Sequence, residues 1–344
     1  MRFGLTARAL GVFASFVIAV PIAFGQSVEK KDVTISVSGP PAQLYFLPVV
    51  LAKYLGYFDK AGVNVTLQHF NSGSKALESV LGGSADIVAG AYEHTIRLQP
   101  KGQSMQSIVL FGRYPENVLG IAKSQASNYK SPADLKGKKI GITGPGSATQ
   151  TFLDLILENA GLKPSDVTTV AVGAGAVAVA AMKRTDELFA ISNLDPAITE
   201  LSMSGDIVVA IDSRTAAGTK AVYGGEYASG SLYAPTAFIQ NNPNTARAIA
   251  SAMVRTLKWM ASAKPDDIIS KVPASFYKSN PGVYRQALAN NLPSYSPDGL
   301  MSKEAPQNVL KAMVKFNPGL AKAKIDLTTT YDNQYVEEAL RSLK

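Results

Sequence analysis

The chain has 344 residues, of which 46% are apolar and 17% are charged, a balance typical of a globular protein. It contains no cysteine, which excludes disulfide bonds, thiolate metal sites and a cysteine nucleophile. The formal net charge is +8, but the lysines are scattered and form no basic patch, so the composition does not favour binding to nucleic acid.

The start of the chain predicts a signal peptide over residues 1–25. A basic beginning is followed by an almost entirely apolar run at residues 9–20, which is too short to cross a bilayer. The small residues Ala23 and Gly25 then precede a cleavage point before Gln26. No cysteine stands at that point, so a lipoprotein anchor is excluded. We expect a secreted protein without an anchor to be retained in a periplasm.

After the predicted signal peptide, strand-like and helix-like segments alternate, which predicts an α/β fold with largely parallel sheets. Gly56 and Gly161 are placed to end two of the helices. The predicted elements are strand 33–37, helix 43–54, strand 63–67, helix 75–81, strand 86–88, strand 107–112, strand 138–143 and helix 149–160.

Two segments repeat the same strand, loop, helix and strand unit. In each, a glycine-bearing loop follows the carboxyl end of a strand, at residues 71–74 in the first and 172–175 in the second. Ligands bind at those ends in open parallel sheets. Two such lobes facing each other predict a binding cleft between them.

The last third of the chain is mostly helical by pattern. Residues 232–239 are predicted as a strand, and a final helix is predicted near residues 332–343. Asn-Pro pairs at 242–243 and 280–281 each place an N-cap residue before a proline in the first helical position. Trp259 is predicted to be a core residue.

The glycine-rich segment 144–149 lies between a predicted strand and a predicted helix. Ser147 is placed to cap that helix, and free backbone N–H groups in the first turn make such an N-terminus a ready site for anions. The segment therefore predicts ligand contact, with a tight turn and a simple cap as the structural alternative.

Residues 172–178 read VGAGAVA and match the glycine spacing of a dinucleotide-binding fingerprint, with Asp195 at the distance expected of a ribose-binding acid. In that fold the acid ends the second strand. Asp195 instead precedes Pro196 and is predicted to open a helix. The position of Asp195 therefore does not fit the dehydrogenase interpretation.

No motif in the sequence indicates catalysis. The two histidines, His69 and His94, have no HxxxH or HExxH partner, which leaves too few ligands for a catalytic zinc ion. No GxSxG elbow, P-loop or paired-carboxylate motif stands out. The residues of a Ser-His-Asp triad are brought together by the fold, so their spacing in the sequence neither indicates nor excludes one. A secreted hydrolase on a two-lobed α/β frame is therefore the alternative to a binding protein.

Several segments, in a fixed order, carry a family resemblance. They are residues 48–63 (PVVLAKYLGYFDKAGV), 82–87 (GGSADI), 131–141 (SPADLKGKKIG), 144–147 (GPGS), 194–196 (LDP) and Trp259. The chain resembles the periplasmic substrate-binding proteins of ABC transporters, in the group that binds nitrate, taurine and aliphatic sulfonates. Proteins that bind a pyrimidine precursor of thiamine belong to the same wider family.

The resemblance implies a periplasmic binding protein fold of type II, with two Rossmann-like lobes joined by a hinge. Lobe I would contain residues 26–117 and 230–344, and lobe II would contain residues 118–229. The lobes would close around a small polar or anionic organic ligand, and the closed monomer would dock on an ABC permease and, through it, on its ATPase.

The resemblance also implies that the protein is not an enzyme and has no catalytic residues, metal or cofactor. A pyrimidine-synthase relative of the family is an enzyme that relies on a cysteine-rich motif. A chain without cysteine lacks that motif.

Expected ligand contacts come from the resemblance and from positions at strand ends. They are Gln43, Leu44, Tyr45, Ser72, Gly73, Ser74, Tyr92, Glu93, His94, Arg113, Gly146, Ser147, Ala148, Thr149, Asn193, Asp195 and Glu226.

The charges in this set leave the identity of the ligand open. Arg113, His94 and the helix start at Ser147 suit an anion. The three acidic side chains of the set suit an amine or a polar heterocycle instead. If the ligand is anionic, Arg113 and the N–H groups after Gly146 are expected to hold it from two sides.

Overall fold

The structure is a computed structural model that describes Met1, Gly4 and residues 27–184 and 187–343. The apolar run of the predicted signal peptide and the cleavage point before Gln26 lie outside the described residues. Among the residues that are described, no helix has both the length and the apolar character needed to span a bilayer.

Two five-stranded sheets organise the described chain. Their strands are β1 (Asp32–Ser38), β2 (Asn64–Phe70), β3 (Ile87–Ala91), β4 (Met105–Leu110), β5 (Val118–Ala122), β6 (Lys139–Ile142), β7 (Thr168–Ala171), β8 (Ala190–Asn193), β9 (Ile207–Asp212) and β10 (Gly230–Pro235). The first sheet has the order β2-β1-β3-β10-β4 and the second has the order β7-β6-β8-β5-β9. We call the layers around them the first and second lobes.

Both sheets have the same mixed topology. β1 pairs in parallel with β2 and β3, while β10 runs antiparallel to β3 and β4. In the second sheet β6 pairs in parallel with β7 and β8, while β5 runs antiparallel to β8 and β9. Each antiparallel strand is the first one after the chain passes from one sheet to the other. The predicted α/β fold of two similar lobes is confirmed, with one antiparallel strand in each sheet.

Helices cover the sheets and form most of the last third of the chain. They are α1 (Leu47–Tyr54), α2 (Tyr57–Lys60), α3 (Gly73–Leu81), α4 (Glu93–Leu98), α5 (Ala148–Asn159), α6 (Ala176–Arg184), α7 (Ala197–Met203), α8 (Ala216–Tyr223), α9 (Thr236–Asn241), α10 (Pro243–Ser262), α11 (Pro265–Ile269), α12 (Pro281–Asn291), α13 (Glu304–Met313), α14 (Pro318–Lys322) and α15 (Gln334–Ser342).

The strand predicted over residues 232–239 is wrong in its second half. β10 ends at Pro235, and Thr236 begins α9. Proline has no N–H to donate to a strand ladder, and its neighbours in the sheet therefore lose a partner at that point. The helix predicted over residues 43–54 begins instead as a 3-10 turn at Leu44–Phe46, which leads into α1.

The long helix α10 anchors the first lobe, where its buried face packs against α1, α15 and β4. Trp259, on the same helix, is partly buried against a cluster that contains Leu44 and Tyr284. In the second lobe, Phe152 of α5 and Tyr223 of α8 stack with their ring centroids 6.1 Å apart.

The lobe boundaries predicted at residues 117/118 and 229/230 stay a prediction. β4 ends at Leu110 and β5 begins at Val118, while β9 ends at Asp212 and β10 begins at Gly230. The helix α13, which the prediction gives to lobe I, packs against α4 of the first lobe and also against α5 and α8 of the second.

Candidate functional site

The two lobes face each other across a cleft at the carboxyl ends of β1, β3, β6 and β8. They touch at two glycines of the second lobe. A Cβ atom built on Gly144 would lie 3.0 Å from the side chain of Ser72, and one on Gly175 would lie 2.8 Å from Pro40 Cγ. Backbone of the second lobe therefore approaches side chains of the first so closely that a side chain at either glycine would require its neighbour to shift.

A small cavity of about 20 Å³ lies inside this cleft. A space of this size holds about one water molecule. Its lining comes from both lobes: Ser38, Tyr45, Phe46, Gly73, Ala91 and His94 from the first, and Thr143, Ser147, Ala148, Thr149 and Leu194 from the second. A groove of about 520 Å³, which includes Ser72, Ser74, Gly144 and Gly173, lies between the lobes beside it.

On the first lobe, His94 and Tyr45 present polar atoms near the cavity. The ring of His94 is fully buried, its Nδ1 lies 2.6 Å from the Tyr233 hydroxyl, and its Nε2 has no hydrogen-bond partner among the described residues. Burial and the positive charge of Arg97 hold the pKa of His94 well below its usual value, so the ring is neutral at pH 7. The Tyr45 hydroxyl lies 2.6 Å from that of Ser229.

On the second lobe, three hydroxyl groups form a closed set. Thr143 Oγ1 donates to Ser147 Oγ at 2.9 Å, and Thr149 Oγ1 lies 2.9 Å and 2.8 Å from these two oxygens. Ser147 occupies the N-cap position of α5, as predicted, but the prediction that its side chain caps the helix is wrong. Its hydroxyl is engaged by Thr143 and Thr149 instead of a backbone N–H group of the first turn.

Two side chains of α4 tie the lobes together next to the cavity. Glu93 accepts hydrogen bonds from the Thr151 hydroxyl at 2.6 Å and from the Tyr227 hydroxyl at 2.8 Å. Arg97 Nη2 donates to the carbonyl oxygen of Gly146 at 2.8 Å. Both carboxylate oxygens of Glu93 are therefore bonded within the protein.

Asp195 is engaged at the far side of the cleft. Its buried carboxylate accepts hydrogen bonds from Arg214 Nη1 at 2.8 Å and from Asn291 Nδ2 at 2.6 Å. Its other oxygen accepts the N–H of Thr199, in the first turn of α7, at 2.9 Å. Asp195 precedes the N-cap residue Pro196 and so lies just before the start of this helix, as predicted. The hydrogen bond from Asn291 joins the second lobe to α12.

Two carboxyl groups near the junction of the lobes have raised pKa values. Burial raises the pKa of Glu116 to about 8, although the Ser294 hydroxyl donates to it. Burial and the negative charge of Glu93 raise the pKa of Asp154 to about 7. Neither side chain borders the cavity.

The structure does not bring Arg113 or Glu226 to the cavity. Both line a separate cavity of about 650 Å³, together with Lys220 and Asp298. Arg113 Nε donates to the carbonyl oxygen of Pro293 at 3.1 Å. In this arrangement Arg113 and the start of α5 border different cavities, and contact of Arg113 or Glu226 with a ligand stays a prediction.

The other predicted contacts fall into two groups. Those that line the cavity are Tyr45, Gly73, His94, Ser147, Ala148 and Thr149. Those placed around it are Gln43, Leu44, Ser72, Ser74, Tyr92, Gly146 and Asn193. In the second group, the buried amide of Gln43 has no partner among the described residues, and Asn193 Nδ2 donates to the Gly173 carbonyl oxygen.

The sequence-based prediction missed five residues that line the cavity, namely Ser38, Phe46, Ala91, Thr143 and Leu194. Ser38 and Ala91 end β1 and β3, and Thr143 and Leu194 directly follow β6 and β8. The rule that ligands bind at the carboxyl ends of parallel strands would have found these four. In the described part of the chain, no cluster of three or more His, Asp or Glu side chains is placed to hold a metal ion.

Comparison with known proteins identifies the family. Residues 43–268 match the family described as NMT1/THI5 like. The chain belongs to the NMT1/THI5-like family. The match covers nine of the ten strands, all but β1, and the helices from α1 to α10, so the resemblance carried by the sequence segments is confirmed.

Solved structures show the fold of this NMT1/THI5-like chain. A protein of Bordetella bronchiseptica RB50 is 42% identical, with a TM-score of 0.88 over 92% of this chain and 99% of that one. The periplasmic nitrate-binding protein NrtA of Synechocystis PCC 6803 is 13% identical, with a TM-score of 0.71 over 92% of this chain and 90% of that one. The predicted periplasmic binding protein fold is confirmed.

An enzyme also occurs among the relatives of this family member. The 4-amino-5-hydroxymethyl-2-methylpyrimidine phosphate synthase of Schizosaccharomyces pombe is 29% identical over 130 residues. That match covers 38% of this chain and 36% of the synthase, so the similarity spans little more than a third of the relative's length.

Proposed function

We propose that this protein is a solute-binding protein that captures a small polar or anionic organic molecule between its lobes and delivers it to an ABC importer. The observation that carries the proposal is the cavity at the strand ends, whose lining comes from both lobes and includes the unpaired Nε2 of His94. The starts of α3 and α5 and several hydroxyl groups line this cavity. Helix starts suit an anion such as a nitrate-like or sulfonate-like molecule, and hydroxyl groups can orient a polar ring such as a pyrimidine.

The side chains around the cavity favour binding over hydrolysis. A serine nucleophile needs a base within hydrogen-bond reach, and Ser147 is bonded to two other hydroxyl groups. Both oxygens of Glu93 accept hydrogen bonds, and Asp195 is paired with Arg214. The acids that would favour an amine ligand are therefore already satisfied, which favours an anion or a neutral acceptor.

The proposed lobes are residues 26–117 with 230–344 and residues 118–229, as the resemblance implies. Hinge motion about the two chain crossings would open the cavity to a ligand larger than its present volume. Tyr227 and Ser229, in the second crossing, bond to Glu93 and Tyr45 of the first lobe. These contacts couple the crossing to the cleft.

The proposed location is the periplasm, after cleavage near Gln26, and the proposed partner is the permease of an ABC transporter with its ATPase. The basic start and short apolar run of the sequence support secretion. We propose that the protein acts as a monomer, without cofactor, and does not convert its ligand.

We expect one class of compound in a panel of nitrate, taurine, alkanesulfonates, aromatic acids and pyrimidines to raise the melting temperature. A ligand at a hundred times its dissociation constant stabilises the folded state by about 2.7 kcal/mol. For a chain of this size that corresponds to roughly 3–5 °C. Thermal-shift measurements would show it, with methylammonium as the control that leaves the melting temperature unchanged. A panel without any stabilising compound would contradict this choice of ligand classes.

A further inference from the structure

His94 has a ring nitrogen, Nε2, that makes no hydrogen bond within the described part of the chain. The ring is fully buried and borders the cavity between the lobes. Buried polar atoms are paired in the great majority of native structures, so an unpaired one at a cavity points to a partner that the ligand supplies.

Tyr233 determines which nitrogen of this ring carries the proton. A neutral imidazole has one N–H donor and one lone pair. The Tyr233 hydroxyl lies 2.6 Å from Nδ1 and has no other hydrogen-bond partner among the described residues. A proton on Nδ1 would point at the tyrosine oxygen and leave the buried phenol proton without an acceptor. The phenol therefore donates to Nδ1, and the ring proton lies on Nε2.

The opposite wall of the cavity also presents donors. Ala148 and Thr149 form the start of α5 and border the cavity, and the first N–H groups of a helix have no partner within it. This end of the helix also favours negative charge. The carbonyl oxygen of Gly146 lies close enough to the ring of His94 to raise its pKa, but it accepts a hydrogen bond from Arg97 Nη2 at 2.8 Å and makes none of normal geometry with His94 Nε2.

We propose that His94 selects the ligand: its Nε2–H, oriented by Tyr233, donates to an oxygen of a carboxylate, sulfonate or similar oxyanion held against the start of α5. Tyr233 is a positioning residue, because it acts through His94. The inference rests on the proposed solute-binding function and narrows it. Ligands with an ammonium or N–H group at this point are rejected, because donors would face donors.

Nitrogen NMR of the histidine-labelled protein tests the position of the ring proton directly. The chain has only two histidines, so a His69→Gln background leaves the ring of His94 alone in the spectrum. We expect a protonated Nε2 and a hydrogen-bonded lone pair on Nδ1. Tyr233→Phe should move the Nδ1 signal toward that of a nitrogen without a hydrogen bond. The control Tyr284→Phe removes a buried hydroxyl that has no partner among the described residues and should leave both signals in place.

Formate, the smallest carboxylate, is the probe for the class of ligand. We expect the signal of the Nε2 proton to move during a formate titration and to stay in place with methylammonium. Tyr233→Phe should weaken formate binding by about threefold to tenfold, the effect of one hydrogen bond. A proton on Nδ1, or an Nε2–H signal that formate does not move, would overturn the assignment. If the proposed solute-binding function itself is wrong, the thermal-shift measurement shows it separately, because no compound of the panel then raises the melting temperature.

Discussion

Replacement of Asp195 by alanine should lower the free energy of unfolding by about 3 kcal/mol, the lower end of the cost of breaking a buried ion pair. The variant removes the ion pair with Arg214, the hydrogen bond from Asn291 and the hydrogen bond from the N–H of Thr199 in the first turn of α7. Arg214 keeps its second partner, Asp212, which limits the loss. Urea unfolding followed by circular dichroism measures the change.

A matched control separates this structural role from a general effect of removing an acid. Asp59, an exposed residue whose carboxylate lies 3.9 Å from Lys53, should give an Asp59→Ala variant within about 0.5 kcal/mol of the unchanged protein. If Asp195→Ala unfolds like the unchanged protein but no longer binds a compound of the panel, Asp195 is a ligand residue rather than part of the framework.

Replacement of Gly144 by leucine should weaken binding of the stabilising compound by about tenfold to a hundredfold. A Cβ atom at this position would lie 3.0 Å from Ser72 across the cleft, so the longer leucine side chain holds the lobes apart. Overpacking of this kind costs roughly 1–3 kcal/mol, and each 1.4 kcal/mol is about a tenfold change in affinity. Calorimetric titration gives the affinity, and small-angle scattering shows whether the variant is more extended.

The control for that variant is Gly282→Leu. A Cβ atom on Gly282 meets only Asn280, at an ordinary distance of 3.9 Å, at the start of α12. We expect this variant to bind like the unchanged protein. Unchanged affinity in Gly144→Leu, with the fold intact, would mean that the ligand does not lie between the lobes.

Local sequence pattern predicted the strands, the repeated unit and the position of the cleft, because each depends on residues close together in the chain. Val33 to Val37 alternate as a half-buried strand does, and β1 forms there. Gly161 follows α5 with a positive φ of 76°, as a helix stop requires. The rule about strand ends then placed Gly73, His94 and Ser147 at the cavity.

The hydrogen-bond and ion-pair partners of the charged side chains could not be predicted from the sequence, because these partners are distant in the chain. Asp195 meets Arg214 and Asn291, which lie 19 and 96 residues away. The backbone N–H of Arg113 bonds to Ser294, and its side chain follows that segment away from the cavity. Local pattern placed an acid and an arginine at strand ends, and long-range pairing decided that neither borders the cavity.

Native mass spectrometry of the purified protein, mixed with the compound that stabilises it most, tests the central claim most directly. The proposed function predicts a single added mass equal to that of the intact compound, which is lost on dialysis and recovered unchanged. A compound recovered as a product of different mass, or an added mass that dialysis does not remove, would contradict the claim that this chain binds its ligand without converting it.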